Sequence, residues 1–164
     1  MANTSKAVGF KPAFGEQYHA PHVWPLTASQ TIAIGDVVYL SSAGTVTIAT
    51  ATTAGLFLGI AASPCTVSTV GDPIWVWDNP NQVFEGQVST GALTDPYTTA
   101  SAAACWDLVA TTGAMYVNTA ASSYNVFKSV GVGREPNGEI SAAGAYQKQL
   151  VMFSPALHVF GTTA

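Results

Sequence analysis

Apolar and polar positions alternate along most of the chain in short runs with the length and composition of β-strands. TIAI (31–34), DVVYL (36–40), TVTIA (45–49), LFLGIAA (56–62), PIWVW (73–77) and QVFEGQV (82–88) are each β-branched or aromatic. Gly35-Asp36, Ala43-Gly44, Gly71-Asp72 and Asp78-Asn79-Pro80 punctuate them at intervals of about ten residues, the spacing of sandwiches and barrels. The pattern resumes with DLVAT (107–111), MYVNT (115–119), VFKSVGVG (126–133), QLVMF (149–153) and ALHVF (156–160). It predicts an all-β fold: a compact β-barrel or β-sandwich over residues 29–164. One short helix at most is expected, at DPYTTASAAACW (95–106), where Asp95 can cap and Pro96 suits the first helical position.

Residues 1–28 follow neither period. Gly9, Pro12, Gly15, Pro21 and Pro25 interrupt Phe10, Phe14, Tyr18 and Trp24. Disordered tails are poor in aromatics, so this stretch is expected as an extended N-terminal arm lying on its own surface or on a neighbour's. Phe10 and Trp24 are its expected anchors, because aromatic side chains with no core of their own need a groove to fill.

An internal repeat offers itself at an offset of about 70 residues. DVVYLSSAGTVTI (36–48) lies over WDLVATTGAMYV (106–117), and LFLGIA (56–61) over VFKSVGVG (126–133). Each half reads strand, Gly-containing turn, strand, Thr/Ala loop, then a strand with glycine.

Composition narrows the function. The 164 residues carry only five basic and nine acidic side chains, 9% against roughly 25% in ordinary soluble domains. Nineteen Thr and 13 Ser stand in for the missing charge, so exposed positions are largely neutral hydroxyls. A net charge of −4, with Lys6, Lys11, Lys128, Arg134 and Lys148 scattered, does not suit a run of phosphates, and nucleic acid is not an expected partner. The longest apolar stretch, residues 55–62, falls far short of the roughly 20 residues that cross a bilayer, and neither a membrane partner nor a secretory leader is expected. Cys65 and Cys105 are isolated and read as reduced thiols.

Catalytic and metal chemistry find little support. His19 and His22 are three apart, but Pro21 between them forbids a helical turn, and Glu16 is the only acid near them. His158 reads as an ordinary strand residue. Asp78 and Glu85 could be offered as a glycosidase pair, which needs two carboxyls set several ångströms apart, but Asp78 in DNP is better explained as a turn former. No phosphate loop, nucleophile elbow or Ser/His/Asp grouping occurs. The expectation is a protein with no catalytic residues, no metal and no cofactor. Trp75 and Trp77 share one strand face by the two-residue period. They read as core, with a stacking platform for sugar rings as the alternative.

Three stretches carry a family resemblance. The opening MANTSKAVGFKP runs from a Thr/Ser-rich leader into Gly9, Phe10, Lys11 and Pro12. The middle WDNPNQVFEGQV (77–88) places a Val-Phe-Glu strand after an Asn-Pro turn. FKSVGVGREPNGEISAAGAYQKQLVMF (127–153) has a Gly-ended strand, an Arg-x-Pro-Asn turn, a Gly-Ala-Tyr element and a final strand. In this order and spacing the chain resembles the capsid decoration, or cement, proteins of tailed bacteriophages. It departs from them at Met152, Phe153 and Ser154, where members often place a basic residue or Asn, and at Ile140–Ala142, which lengthens a turn. The resemblance implies a structural virion protein on the outer surface of the capsid that binds the phage major capsid protein and stabilises its lattice. It also implies a small symmetric oligomer, a homotrimer for preference and otherwise a dimer. Gly9, Phe10, Lys11, Pro12, Phe14, Tyr18, Trp24 and Arg134 are the candidate interface residues. Arg134 can bind a partner bidentately or can steady its own turn through Glu139. The competing reading is a virion-exposed carbohydrate-binding or host-adhesion β domain.

Overall fold

The computed structural model describes residues 9–13, 19–53, 56–89, 105–119, 124–142 and 144–160. The fold is all-β, two antiparallel sheets of six and five strands in a sandwich-like arrangement. The five-stranded sheet is built from β2 (His22–Pro25), β3 (Val37–Leu40), β4 (Val46–Ile48), β5 (Phe57–Ala61) and β6 (Pro73–Trp77). The six-stranded sheet comprises β1 (Lys11–Pro12), β7 (Phe84–Gln87), β8 (Cys105–Val109), β9 (Tyr116–Asn118), β10 (Phe127–Val132) and β11 (Lys148–Phe153).

Strand order exposes a duplication. The first sheet runs β2-β6-β5-β3-β4, and the second, once β1 is set aside, runs β7-β11-β10-β8-β9, the same order strand for strand. The closures correspond too. A parallel bridge joins Leu26, just past β2, to Val46 in β4, and another joins Val88, just past β7, to Val117 in β9. Thr27 N–H donates to the Val46 carbonyl at 2.9 Å, and Ser89 N–H to the Val117 carbonyl at 3.0 Å. Each bridge therefore brings together the two ends of its five-strand set, just past β2 in the first sheet and just past β7 in the second. The sequence repeat coincides with this duplication, and Gly59 and Gly131 fall in the corresponding strands β5 and β10.

Two cores follow. Leu26, Val38, Val46, Leu58, Ile74 and Val76 fill one cluster in the first sheet. The larger cluster joins Phe57 and Ile60 from the other face of that sheet to Phe84, Phe127, Val151 and Phe153 of the second. Phe153 is its hub, with ring centroids 5.3 Å from Phe127 and 6.0 Å from both Phe57 and Phe84.

Part of the expected arm is not an arm. Over its described residues, the 1–28 stretch supplies β1, which lies on the outer side of β7, and β2, an edge strand of the first sheet. Phe10 is buried in the chain's own larger core. Gly9 has φ of +60° where the chain crosses Gly35, and a Cβ there would run into the Gly35 carbonyl, which accepts Phe10 N–H at 2.8 Å.

Other expectations shift locally. Of the expected helix, residues 95–104 lie outside the described residues, and Cys105 and Trp106 open strand β8. Among the described residues the only helical turn is a 3-10 turn at Pro155–Leu157, where ALHVF was expected to be a strand. Pro155 stands at its start and has no N–H to continue the β11 ladder. TIAI contributes a single bridge, Ile32 to Cys65, in place of a strand.

Candidate functional site

The described candidates do not converge on one surface. Phe10 is spent on the core, so it is unavailable as an anchor on a partner. Lys11 and Pro12 pair with Glu85 and Phe84 across β1 and β7, and Lys11 Nζ lies 3.1 Å from Glu85 Oε1. Phe14 and Tyr18 lie outside the described residues. Arg134 sits in the exposed turn after β10, where its Nη1 donates to its own turn's Gly138 carbonyl at 2.8 Å. The expected Glu139 partner is held instead by Asn137 Nδ2 at 2.9 Å. Beneath that turn lies a cation that composition did not single out. Lys148, buried in β11, sends its Nζ to the Arg134 carbonyl at 3.2 Å and to Glu135 Oε2 at 2.9 Å.

Trp24, the remaining candidate, forms a cleft of about 380 Å³ with His22, Val23, Asp78, Asn79, Pro80 and Phe160. The antiparallel register sets His22 opposite Val76 and Trp24 opposite Ile74, so Asp78, just past β6, comes to lie beside both polar ring groups of β2. Its carboxylate is buried. His22 Nδ1 lies 2.7 Å from Oδ1, and Trp24 Nε1 donates to Oδ2 at 2.9 Å. The turn itself belongs to the next residue: Asn79 Oδ1 accepts Asn81 N–H at 2.8 Å. Asp78 is thus an inward-facing clamp rather than the turn former it was expected to be.

The far wall is the chain's last described segment. A bridge between Phe57 and His158 brings residues 158–160 back to the first sheet. His158 is buried, with its ring 5.6 Å from Phe153 and 6.0 Å from Phe160. Phe160 N–H donates to its Nδ1 at 3.1 Å, which fixes that nitrogen as an acceptor and puts the ring proton on Nε2. Burial pushes the His158 pKa below its ordinary value, while the Leu58 carbonyl and the charge of Asp78 push the other way. Phe160 itself is 49% exposed and faces Trp24, with ring centroids 6.1 Å apart.

The two tryptophans of β6 share a face and differ in fate. Trp75 is half-exposed, directly opposite the exposed Val23, whereas Trp77 packs against the larger core. They do not form an exposed pair. Asp78 and Glu85 have separate partners, His22 with Trp24 for the one and Lys11 for the other. His19 sends its backbone N–H to Gln82 Oε1 at 2.9 Å. Among the described residues no three His, Cys, Asp or Glu side chains are grouped to hold a metal ion, and both cysteines are free thiols. Compared with known proteins, the chain matches no protein-family model and no curated sequence.

Proposed function

We propose that this chain is a structural decoration protein of a tailed-phage capsid, bound to the outer surface of the assembled major capsid protein lattice and cementing it as a homotrimer. One observation carries the reading. The stretches that resemble that family are far apart in sequence, yet they supply β1, β7, β11 and β10, which are consecutive strands of one sheet. The Lys11–Glu85 pair ties the first to the second. Their adjacency in one sheet supports treating the three stretches together.

The composition suits the role. Many copies bridging neighbouring capsid subunits add their binding energies through avidity, and no chemistry is needed. A surface of neutral hydroxyls avoids the cost of desolvating charges at each contact and makes binding insensitive to salt. The competing carbohydrate reading, as far as it rested on Trp75 and Trp77, loses its platform, because Trp77 is packed inward.

Electron cryomicroscopy of phage particles made with and without this chain tests the proposal. Extra density on the outer capsid surface, absent from particles lacking the chain, together with lower heat resistance of those particles, is the expected result. Identical shells with identical heat resistance would overturn it.

A further inference from the structure

The cleft at Trp24 presents more hydrogen-bonding and ring surface than its own contacts use. Phe160 leaves half its surface open beside Trp24, although a phenyl ring gains by burial. The His22 side chain is 70% exposed, yet it is not a loose surface histidine, because the buried Asp78 carboxylate holds it through Nδ1. That bond leaves Nε2 as the group the ring offers to a ligand, with its orientation fixed in the way a carboxylate fixes a functional histidine. Asn79 is fixed too: its Oδ1 accepts Asn81 N–H, so its Nδ2 carries two donors on the opposite side of the amide.

We propose that this cleft binds one pyranose ring of a neutral glycan. A pyranose has a face of C–H bonds, matched to the electron-rich faces of Phe160 and Trp24, and a rim of hydroxyls that both donate and accept. Nε2 of His22 and Nδ2 of Asn79 meet that rim. The volume of about 380 Å³ holds a single ring with some water. Charge argues for neutrality. An anionic ligand would meet the Asp78 carboxylate, and a cationic one would find that carboxylate buried and already engaged by His22 and Trp24. The site is separate from the β1-β7-β11-β10 strands and stands whether or not the chain coats a capsid.

Saturation-transfer NMR on the full-length protein with the methyl glycosides of glucose, mannose, galactose and N-acetylglucosamine, and with choline as the cationic comparator, tests the site. At least one glycoside should give saturable transfer, strongest at the C–H protons of one ring face, with a dissociation constant in the range of about 1 mM that so small a contact allows. Phe160→Ala alters an exposed side chain and should melt near the parent temperature, whereas His22→Ala takes one of two partners from the buried Asp78 carboxylate and should fold with a lower melting temperature. Measured well below either melting transition, each should weaken binding by about tenfold or more. No saturable transfer from any glycoside up to about 50 mM, transfer undiminished in both variants, or choline as the only ligand would each overturn the proposal.

Discussion

Phe10 packs its ring against that of Phe127, with centroids 4.8 Å apart, and so brings the N-terminal segment into the centre of the larger core. Gly86 makes room for it, since a Cβ at that position would overlap the Phe10 ring. The packing predicts that Phe10→Ala, which leaves a cavity at a fully enclosed site, costs about 3–5 kcal/mol of stability. Urea denaturation measures this directly. Removal of residues 1–13 should be at least as harmful, because it also strips β1 from β7. A truncated chain as stable as the whole would show that β1 and Phe10 are not part of the core.

How far these features were legible in the sequence differs from place to place. The short β-branched and aromatic runs located most of β3 to β11, because strand composition is a local signal, and the Gly-bearing repeat paired β3, β4 and β5 with β8, β9 and β10, three of the five corresponding strands. The place of Phe10 was legible only in part, because a segment broken by Gly and Pro advertises a need for a groove without saying whose, and the ring fills the chain's own core. Asp78 was misread for a similar reason. DNP looks like a turn at short range, and the side chains that recruit its carboxylate come from His22 and Trp24, more than fifty positions upstream. Lys148 left no signal either, since its partners, the Arg134 carbonyl and Glu135, come from the turn between β10 and β11, more than a dozen positions upstream.

Asp36 links the two halves. Its Oδ2 accepts Ala33 N–H within its own turn and its Oδ1 accepts Gly113 N–H from the second half, both at 2.8 Å. Replacing it with Asn turns one acceptor into a donor facing an N–H group, and the expected loss at neutral pH is about 1–3 kcal/mol. Burial raises the Asp36 pKa above its ordinary 3.8, against those two bonds. The folded state then holds this proton more tightly than the unfolded chain does. Its contribution is present below pH 3.8 and is lost as pH rises through the folded-state value. Chemical denaturation of parent and Asp36→Asn across the acid range should show this trend in the parent alone.

His158 has the opposite dependence. Its folded-state pKa lies below the ordinary 6.5, so as pH falls the unfolded chain takes up the proton first. The stability conferred by the neutral ring is complete above pH 6.5 and drains away below it until the folded-state ring is protonated as well. Protonation at Nδ1 would also set an N–H against the Phe160 N–H that it now accepts. His158→Gln keeps an acceptor without a titrating ring. Melting temperatures from pH 8 down to about 5 should therefore fall more steeply for the parent than for the variant. Parallel curves would show that the His158 ring does not carry the dependence.

Arg134 separates a local role from a shared one. Its bond to the Gly138 carbonyl is solvent-exposed, and such a contact contributes about 1 kcal/mol or less. The turn has further support from the Glu135 N–H bond to the Glu139 carbonyl and from Lys148 below. Arg134→Ala should accordingly lower the melting temperature only slightly. The guanidinium has five N–H donors, and the Gly138 bond uses one, so in the proposed trimer it can reach a neighbour's carboxylate or carbonyls while keeping its own turn. Arg134→Lys keeps the charge and loses the bidentate fork. If the residue serves the assembly, light scattering of both variants should move from three times the 16.9 kDa chain mass toward the monomer while each chain stays folded. A parent that is already monomeric at micromolar concentration, or variants that remain trimeric and bind shells as the parent does, would confine Arg134 to its turn.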